Sequence, residues 1–288
     1  MPLSFEKTEM KELTYGNFDS QFNYQAFLCG EALDIGGGTI TKEEIDIIKD
    51  YPELKRIRVT GLRQDTFEYF IENYGSQFEA ICFWKDKLVS DFSVLGNLEN
   101  IVAITFFWNQ RVEKLWDMSN NKKLRMLNLD DFTRLHSLRG VEKAPALEYL
   151  TFGNLSDSRS KFDNVPDLNE TSLQKVAYNS DVPYECVEKF LNIPDLKELG
   201  FRANMYKVEF LAWISANYPH IKGNALRPYA LFGDKKSGFI CGKRKPWIHD
   251  INSEKDKKRV EKAVNNFEGL KKELYGMPFE EIVKLCKE

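Results

Sequence analysis

The sequence predicts an α/β solenoid, in which short parallel strands and helical segments alternate through stacked copies of one unit. The clearest observation is a frame that occurs twice in succession between residues 101 and 132. Ile104 and Phe106 stand at its fourth and sixth positions, and Leu127 and Leu129 repeat them 23 residues later. Because one such unit cannot bury its own apolar side, a repeat of this length predicts stacked neighbours.

The second observation is that the frame recurs along most of the chain. Copies start at residues 30, 54, 78, 101, 124, 147, 173 and 196, so that successive steps are 24, 24, 23, 23, 23, 26 and 23 residues. A degenerate ninth copy begins at Ile221. The first copy places Leu33 and Ile35 at the fourth and sixth positions. The step of 26 predicts an insertion within residues 156–171, a polar segment that we interpret as a loop.

These residues resemble the consensus of the leucine-rich-repeat superfamily, L-x-x-L-x-L-x-x-N/C-x-L. The resemblance covers about residues 30–230. It implies a horseshoe with a parallel concave sheet, helices on the convex side and a protein partner. Asn109 and Asn204 match the ninth position, whereas Asp86 and Asp181 are near equivalents. The asparagine ladder of the family is therefore incomplete, and we expect irregular curvature.

Each copy predicts a strand followed by a helical crossover. The fourth and sixth positions alternate with the fifth and seventh, which is the period of a strand. Thr41 and Glu44 form a capping-box pattern that opens the first helix. Residues 65–71 and 183–191 predict two further helices. Parallel strands joined by crossovers of this length predict a right-handed coil.

The ends of the chain predict caps. Residues 1–29 are aromatic-rich but lack the frame, so we expect an N-terminal cap before the solenoid of residues 30–230. Residues 231–288 predict a C-terminal cap, because the end of a solenoid must be covered. Two strands are expected around the turn 233–237, then a helix over 253–275 and a shorter helix from Pro278.

Composition excludes several classes of protein. The net charge of −3 favours no particular partner, and no apolar run approaches the roughly 18 residues of a membrane span. The first residues lack the pattern of a signal peptide. Five widely spaced cysteines favour reduced thiols over a disulfide framework or a metal site. We therefore expect a cytoplasmic monomer without a cofactor.

Catalytic signatures are missing from the sequence. It contains no phosphate-binding P-loop, serine-nucleophile elbow, zinc-protease helix or EF-hand loop. Gly36, Gly37 and Gly38 lack the spacing of a nucleotide-binding turn, so a tight turn is the better interpretation. His136, His220 and His249 are far apart and are expected at the surface. An enzyme is the least favoured alternative.

The frame also predicts a binding face. The third, fifth, seventh and eighth positions should point to the concave surface, where aromatic and arginine residues cluster unevenly. Such residues dominate the energetics of interfaces. The predicted binding face consists of Arg56, Arg58, Trp84, Lys85, Phe107, Trp108, Asp130, Asp131, Tyr149 and Arg202. The alternative is that Trp108 packs against a cap or a neighbouring loop.

The charge of the C-terminal region suggests a different class of partner. Residues 221–288 carry 16 Lys and Arg against 10 Asp and Glu, whereas the remainder carries 25 against 34. The run Lys243, Arg244 and Lys245 permits binding of an acidic partner or nucleic acid. A solvated hairpin is favoured because Trp247 alone does not form an aromatic platform. The sequence thus predicts a non-catalytic protein-binding module, such as an adaptor, a regulator or an inhibitor.

Overall fold

The computed structural model describes residues 2–5, 24–30, 38–154 and 160–288 of the chain. The protein divides into two compact units. Unit 1 comprises Met1–Leu173 with Ser180–Val182, and unit 2 comprises Gln174–Asn179 with Pro183–Glu288. Among the described residues, no helix combines the length and the apolar character that crossing a membrane requires.

Unit 1 is built on a mostly parallel sheet whose strands follow one another in chain order. β1 pairs antiparallel with β2, and each later strand runs parallel to the one before it. The strands in the described part of unit 1 are β1 Leu3–Phe5, β2 Ala26–Leu28, β3 Arg56–Val59, β4 Ala80–Trp84, β5 Ala103–Asn109, β6 Met126–Phe132 and β7 Tyr149–Gly153. The predicted parallel sheet is therefore confirmed.

The register of the sheet aligns the apolar positions of the frame. Ile81 pairs with Ile104, Ile104 with Leu127, and Leu127 with Leu150. All four side chains are buried. Burying a side chain of this size contributes about 1.5–3 kcal/mol, so each coil stabilises its neighbour through this row.

The strand beside β3 is not the one that the frame predicts. β2 pairs with β3 through Ala26 opposite Ile57 and Leu28 opposite Val59, and Ala26 and Leu28 are fully buried. The frame instead places a strand at Leu33 and Ile35, which lie outside the described residues. An alanine in an inward position gives a weak apolar signal, which is why the pattern overlooked β2.

The crossovers of unit 1 differ in conformation. α1 Lys42–Ile45 begins with the predicted capping box of Thr41 and Glu44, and the 3₁₀ helix Asp46–Asp50 follows it. α2 Gln64–Tyr74 leads into the 3₁₀ helix Gly75–Gln77.

From β4 to β7, the described crossovers contain only the short 3₁₀ helices Ser93–Asn97 and Val141–Lys143. Side chains there bind carbonyl groups that a helix would have satisfied itself. The Asn121 amide donates to Leu95 O and Leu98 O at 2.9 and 3.0 Å, and its Oδ1 accepts from Trp116 Nε1 at 2.7 Å. The prediction of helical crossovers is therefore wrong for these coils.

Unit 2 begins with two parallel strands, β8 Lys175–Asn179 and β9 Glu198–Phe201, joined by α3 Tyr184–Leu191. α4 Val208–Asn217 follows. Next comes an antiparallel sheet of β10 Tyr229–Leu231, β11 Gly238–Ile240 and β12 Trp247–Ile248. α5 Glu254–Glu273 and α6 Phe279–Lys287 complete the unit. The predicted hairpin and both C-terminal helices are confirmed.

Candidate protein-binding face

The predicted aromatic residues of unit 1 meet at one edge of the sheet. Trp84 pairs in register with Phe107, and Phe107 with Asp130. The rings of Trp84 and Phe107 stack with centroids 4.3 Å apart and planes 27° apart. Both side chains are half-buried. The frame therefore places these residues side by side at the ends of successive strands.

Cationic side chains lie over these rings. Arg58 Cζ is 5.7 Å from the ring centroid of Trp84 and 4.2 Å from that of Phe27. Lys85 Nζ and Lys87 Nζ lie 5.6 and 4.3 Å from the ring centroid of Trp108. Each contact of this kind contributes about 0.5–1 kcal/mol at an exposed site. The sequence did not single out Lys87, because that residue lies beyond the eighth position of the frame.

Four residues near the ends of the strands have a left-handed backbone conformation, and we call them the left-handed row. Gly61, Lys85, Trp108 and Asp131 all occupy the eighth position of successive coils, and their φ angles are 83°, 61°, 63° and 56°. Only Gly61 adopts this conformation without steric cost. A residue with a side chain loses roughly 1–2 kcal/mol there. Strained positions of this kind cluster at functional sites, so the three side chains are candidates for binding.

The middle of the same strand face is covered. Ala80, Cys82, Ala103 and Met126 are buried together with Tyr24. Tyr24 Oη donates to Thr105 Oγ1 at 3.2 Å. Trp84, Val102 and Tyr149 pack against this cluster and are partly buried.

The fifth position of the frame predicts an open surface for Cys82, Thr105 and Asn128, yet all three are buried. Tyr24 is one of the aromatic residues of the expected N-terminal cap, but no pattern predicted its contact with this strand face. Small residues at the third position, such as Ala80 and Ala103, are the signal that could have indicated a covering residue.

The remaining residues of the binding face have different surroundings. Arg56, the first residue of β3, donates from Nε to Glu79 Oε1 at 2.6 Å. Asp130 and Asp131 are half-buried at the end of β6. Arg202 is exposed in unit 2, directly after β9. The structure thus groups Trp84 with Phe107 and Arg58, and Lys85 with Trp108, in unit 1.

Two ninth-position residues, Asn109 and Asp86, directly follow the binding-face residues Trp108 and Lys85. Asn109 Nδ2 donates to Asp86 O and Val89 O at 3.0 and 2.9 Å, and Asn109 Oδ1 accepts from Arg111 N and Val112 N. The amide therefore uses both its donors and its acceptor.

Asp86 holds the equivalent position in the preceding coil. Its Oδ1 accepts from Leu62 N at 2.7 Å, whereas its buried Oδ2 has no hydrogen-bond partner among the described residues. Burial raises the pKa of Asp86 well above its usual range, and backbone hydrogen bonds from Leu62 and Gly61 offset only part of that effect.

Three of the thiols are poor nucleophiles. Burial raises the pKa of Cys29 and Cys286 to about 11 and that of Cys241 to about 12. Reactive cysteines have lowered pKa values, because the thiolate is the nucleophile. In the described ranges, no group of three or more His, Cys, Asp or Glu side chains could hold a metal ion.

An open cleft of about 560 Å³ in unit 1 is lined by Glu113, Arg134, His136, Ser137, Asp163 and Asn164. Its polar groups are engaged locally. His136 Nδ1 donates to Lys161 O at 2.8 Å, and the Ser137 hydroxyl accepts from Arg139 N at 3.2 Å. Lys161 pairs with Asp163 at 2.9 Å and lowers the pKa of that carboxyl. These contacts do not align a nucleophile with a base.

Unit 2 carries an aromatic cluster that the sequence pattern did not predict. The rings of Phe232, Phe239 and Trp247 form what we call the hairpin aromatic cluster, with centroids 4.2–5.9 Å apart. Phe239 pairs in register with Ala230 and Trp247, so these side chains share one face of the sheet. The assumption that Trp247 stands alone is therefore wrong.

No protein-family model matches the sequence, and a comparison with curated proteins finds no match either. Among solved structures, the protein is similar to an internalin (inlF) from Listeria monocytogenes, with 16% sequence identity and a TM-score of 0.42. The match covers 68% of this chain and 59% of the internalin chain, less than two thirds of that length.

Proposed function

We propose that the protein is a non-catalytic leucine-rich-repeat protein that binds a protein partner through the binding face. The observation that carries the proposal is the left-handed row, in which Lys85, Trp108 and Asp131 occupy positions that favour glycine. Stability alone would favour glycine at all of them, as at Gly61. A partner that contacts these side chains is a reason to retain them.

The side chains of the binding face are of the types that bind protein partners. Trp, Tyr and Arg are the residues most often found at the centres of interfaces, where truncation of one costs about 2 kcal/mol or more. The stacked pair of Trp84 and Phe107 offers a firm apolar surface at small entropic cost, because its rings already pack together. Lys85, Asp130 and Asp131 supply charges of both signs at its margin.

We extend the proposal to the architecture. Regular parallel pairing with a step of 23 residues supports a right-handed repeat solenoid. We add β2 to its strands, because β2 pairs with β3. We propose that the rest of residues 1–29 and all of residues 231–288 are the caps of this solenoid. We propose a cytoplasmic monomer, and we propose Arg202 as a separate contact residue in unit 2. The raised pKa of the buried Cys241 thiol and the local bonding of His136 support a role without catalysis.

Affinity capture from native lysate tests the proposal. The bait is the full chain, either wild type or with Trp84→Ala, Trp108→Ala and Tyr149→Ala combined. A matched control carries Phe232→Ala and Trp247→Ala, which remove aromatic rings from unit 2 only. We expect at least one protein to be captured by wild type and control but lost from the triple variant. Equal recovery of every captured protein by all three baits would contradict the binding face. Circular dichroism checks that each bait is folded.

The hairpin aromatic cluster favours a second candidate function, the binding of single-stranded nucleic acid. Exposed rings beside cations are the elements of a stacking platform. Lys235, Lys236, Lys243 and Arg244 are exposed in the turns next to this cluster. Wild type should then retard a labelled oligonucleotide at low salt, and Lys243→Gln with Arg244→Gln should abolish the retardation. Wild type that gives no retardation at low salt would eliminate this candidate.

A further inference from the structure

Unit 2 contains a pocket that the proposed function does not use. It has a volume of about 250 Å³ and lies between the antiparallel sheet, the first turn of α4 and one side of α5. Its lining includes Val208, Ile240, Lys245, Arg259, Lys262 and Ala263. Pockets that are mostly apolar and carry a few polar groups are typical of ligand sites.

The wall formed by the turn after β11 is held in place by backbone contacts. Gly242 has a φ of 124°, and its N–H donates to Ala203 O at 2.7 Å. Lys243 N donates to Tyr206 O at 2.6 Å. A Cβ at Gly242 would lie 3.0 Å from Val208 Cβ and 3.1 Å from Lys245 Cγ. The turn therefore packs closely against α4, and the pocket is formed before any ligand arrives.

The interior of the pocket is apolar. Val208 and Ile240 are buried, and Ala263 presents only a methyl group. Pro228 and Pro246 add rigid walls without N–H donors. Burial raises the pKa of Cys241 to about 12, so this lining thiol stays neutral and acts as an apolar group.

The rim is positively charged. Lys245 and Lys262 are exposed there, and Arg259 reaches it from α5. Arg259 pairs with Asp256 at 3.1 Å, and Asp256 also accepts from His249 N and Asp250 N. The Asp256 carboxylate therefore binds Arg259 and two backbone N–H groups. Lys245 and Lys262 then determine the charge at the mouth of the pocket.

We propose that this pocket binds a carboxylate attached to a compact apolar group. The apolar interior would take the group, while Lys245 and Lys262 would face the carboxylate. An apolar cavity of about 150 Å³ holds a benzene ring, so this volume has room for a ring with a short acidic arm. Two sources share this chemistry, namely a free carboxylic acid and the C-terminal carboxylate of a peptide that ends in an apolar residue.

Calorimetric titration of the full chain tests the charge requirement. The probes are 3-phenylpropanoate, its uncharged amide, and acetyl-Gly-Gly-Phe with a free or an amidated C-terminus. Two lysines that each form a charge pair with the carboxylate near 4 Å predict that each acid binds roughly thirtyfold more tightly than its amide, even with the screening of water. Tighter binding of the peptide acid assigns the site to peptide termini, and tighter binding of phenylpropanoate assigns it to small acids.

Variants locate the binding. Lys245→Gln with Lys262→Gln should remove the preference for the acid, and Ala263→Phe should abolish binding by filling the pocket. Lys257→Gln is the matched control, because the exposed Lys257 lies on the opposite side of α5 from the lining residue Arg259. Thermal unfolding establishes that each variant folds. The proposal is overturned if no probe binds at millimolar concentration, if acid and amide bind equally, or if every variant behaves like wild type.

Discussion

Two aromatic clusters in this protein have similar internal geometry and opposite surroundings. The inner aromatic cluster of unit 1 consists of Phe83, Phe92, Phe106 and Phe132, and the ring of Phe106 lies 4.4–5.9 Å from the other three. The rings of the hairpin aromatic cluster lie 4.2–5.9 Å apart. Phe106 is only 2% exposed, however, whereas Phe232 and Trp247 are 41% and 53% exposed.

The difference shows that ring packing alone does not indicate what a cluster is for. Stabilisation follows the apolar area that folding removes from water. Apolar area left in water on a folded domain marks a surface for interaction. The binding face lies between these limits, since Trp84, Phe107 and Trp108 are half-buried.

The largest effect should separate the two clusters directly. Phe106→Ala should lower the free energy of unfolding by about 3–5 kcal/mol, because it leaves a cavity in the core. Phe232→Ala should lower it by less than about 1 kcal/mol, because much of that ring is already in water. Guanidinium unfolding followed by circular dichroism measures both. Similar losses in the two variants would mean that exposure does not distinguish the clusters.

The next effect measures how much the polar groups around the inner aromatic cluster contribute to the free energy of unfolding. Asn109→Ala should cost about 2–3 kcal/mol, since it leaves buried carbonyl and N–H groups without partners. The exposed Asn120→Ala should change stability by no more than about 0.5 kcal/mol. The same unfolding assay compares them. A small effect of Asn109→Ala would show that other groups satisfy those backbone atoms.

A smaller effect tests the backbone beneath the binding face. Lys85→Gly should be more stable than Lys85→Ala by about 1 kcal/mol, because only glycine relieves the left-handed conformation. At Thr151, within β7, the order should reverse, and Thr151→Gly should be less stable than Thr151→Ala by about 0.5–1 kcal/mol. If the alanine variant were more stable than the glycine variant at both positions, the left-handed conformation of Lys85 would not lower the stability of the protein.

The last effect is a pH dependence of the stability contributed by Asp86. The pKa of Asp86 is raised in the folded protein, so its stabilising contribution is complete below the unfolded-state pKa of about 4. That contribution is lost as the pH rises toward the folded-state pKa, because the folded state then binds more protons than the unfolded state. Asp86→Asn should gain stability relative to wild type from pH 5 to pH 8. Unfolding at both pH values tests this, and a constant difference would contradict the raised pKa.

Local sequence determined the parts of the fold that depend on short-range pattern. The row from Ile81 through Leu127 needs only apolar residues at a fixed step, since identical coils stack in register. Thr41 and Glu44 specify a helix start by their own side chains. The hairpin of β10 and β11 likewise follows from two apolar runs around a short turn.

Only the tertiary structure decided where side chains meet. Ala26 carries too little apolar signal to reveal β2, and its place depends on pairing with β3. Tyr24 reaches Thr105 across 81 positions of sequence, which no local pattern encodes. Phe232, Phe239 and Trp247 become neighbours through strand pairing. Sequence therefore predicted the inward frame and the edge where Trp84 and Phe107 stack. Burial of the outward face depends on contacts between distant segments, and these exist only once the chain has folded.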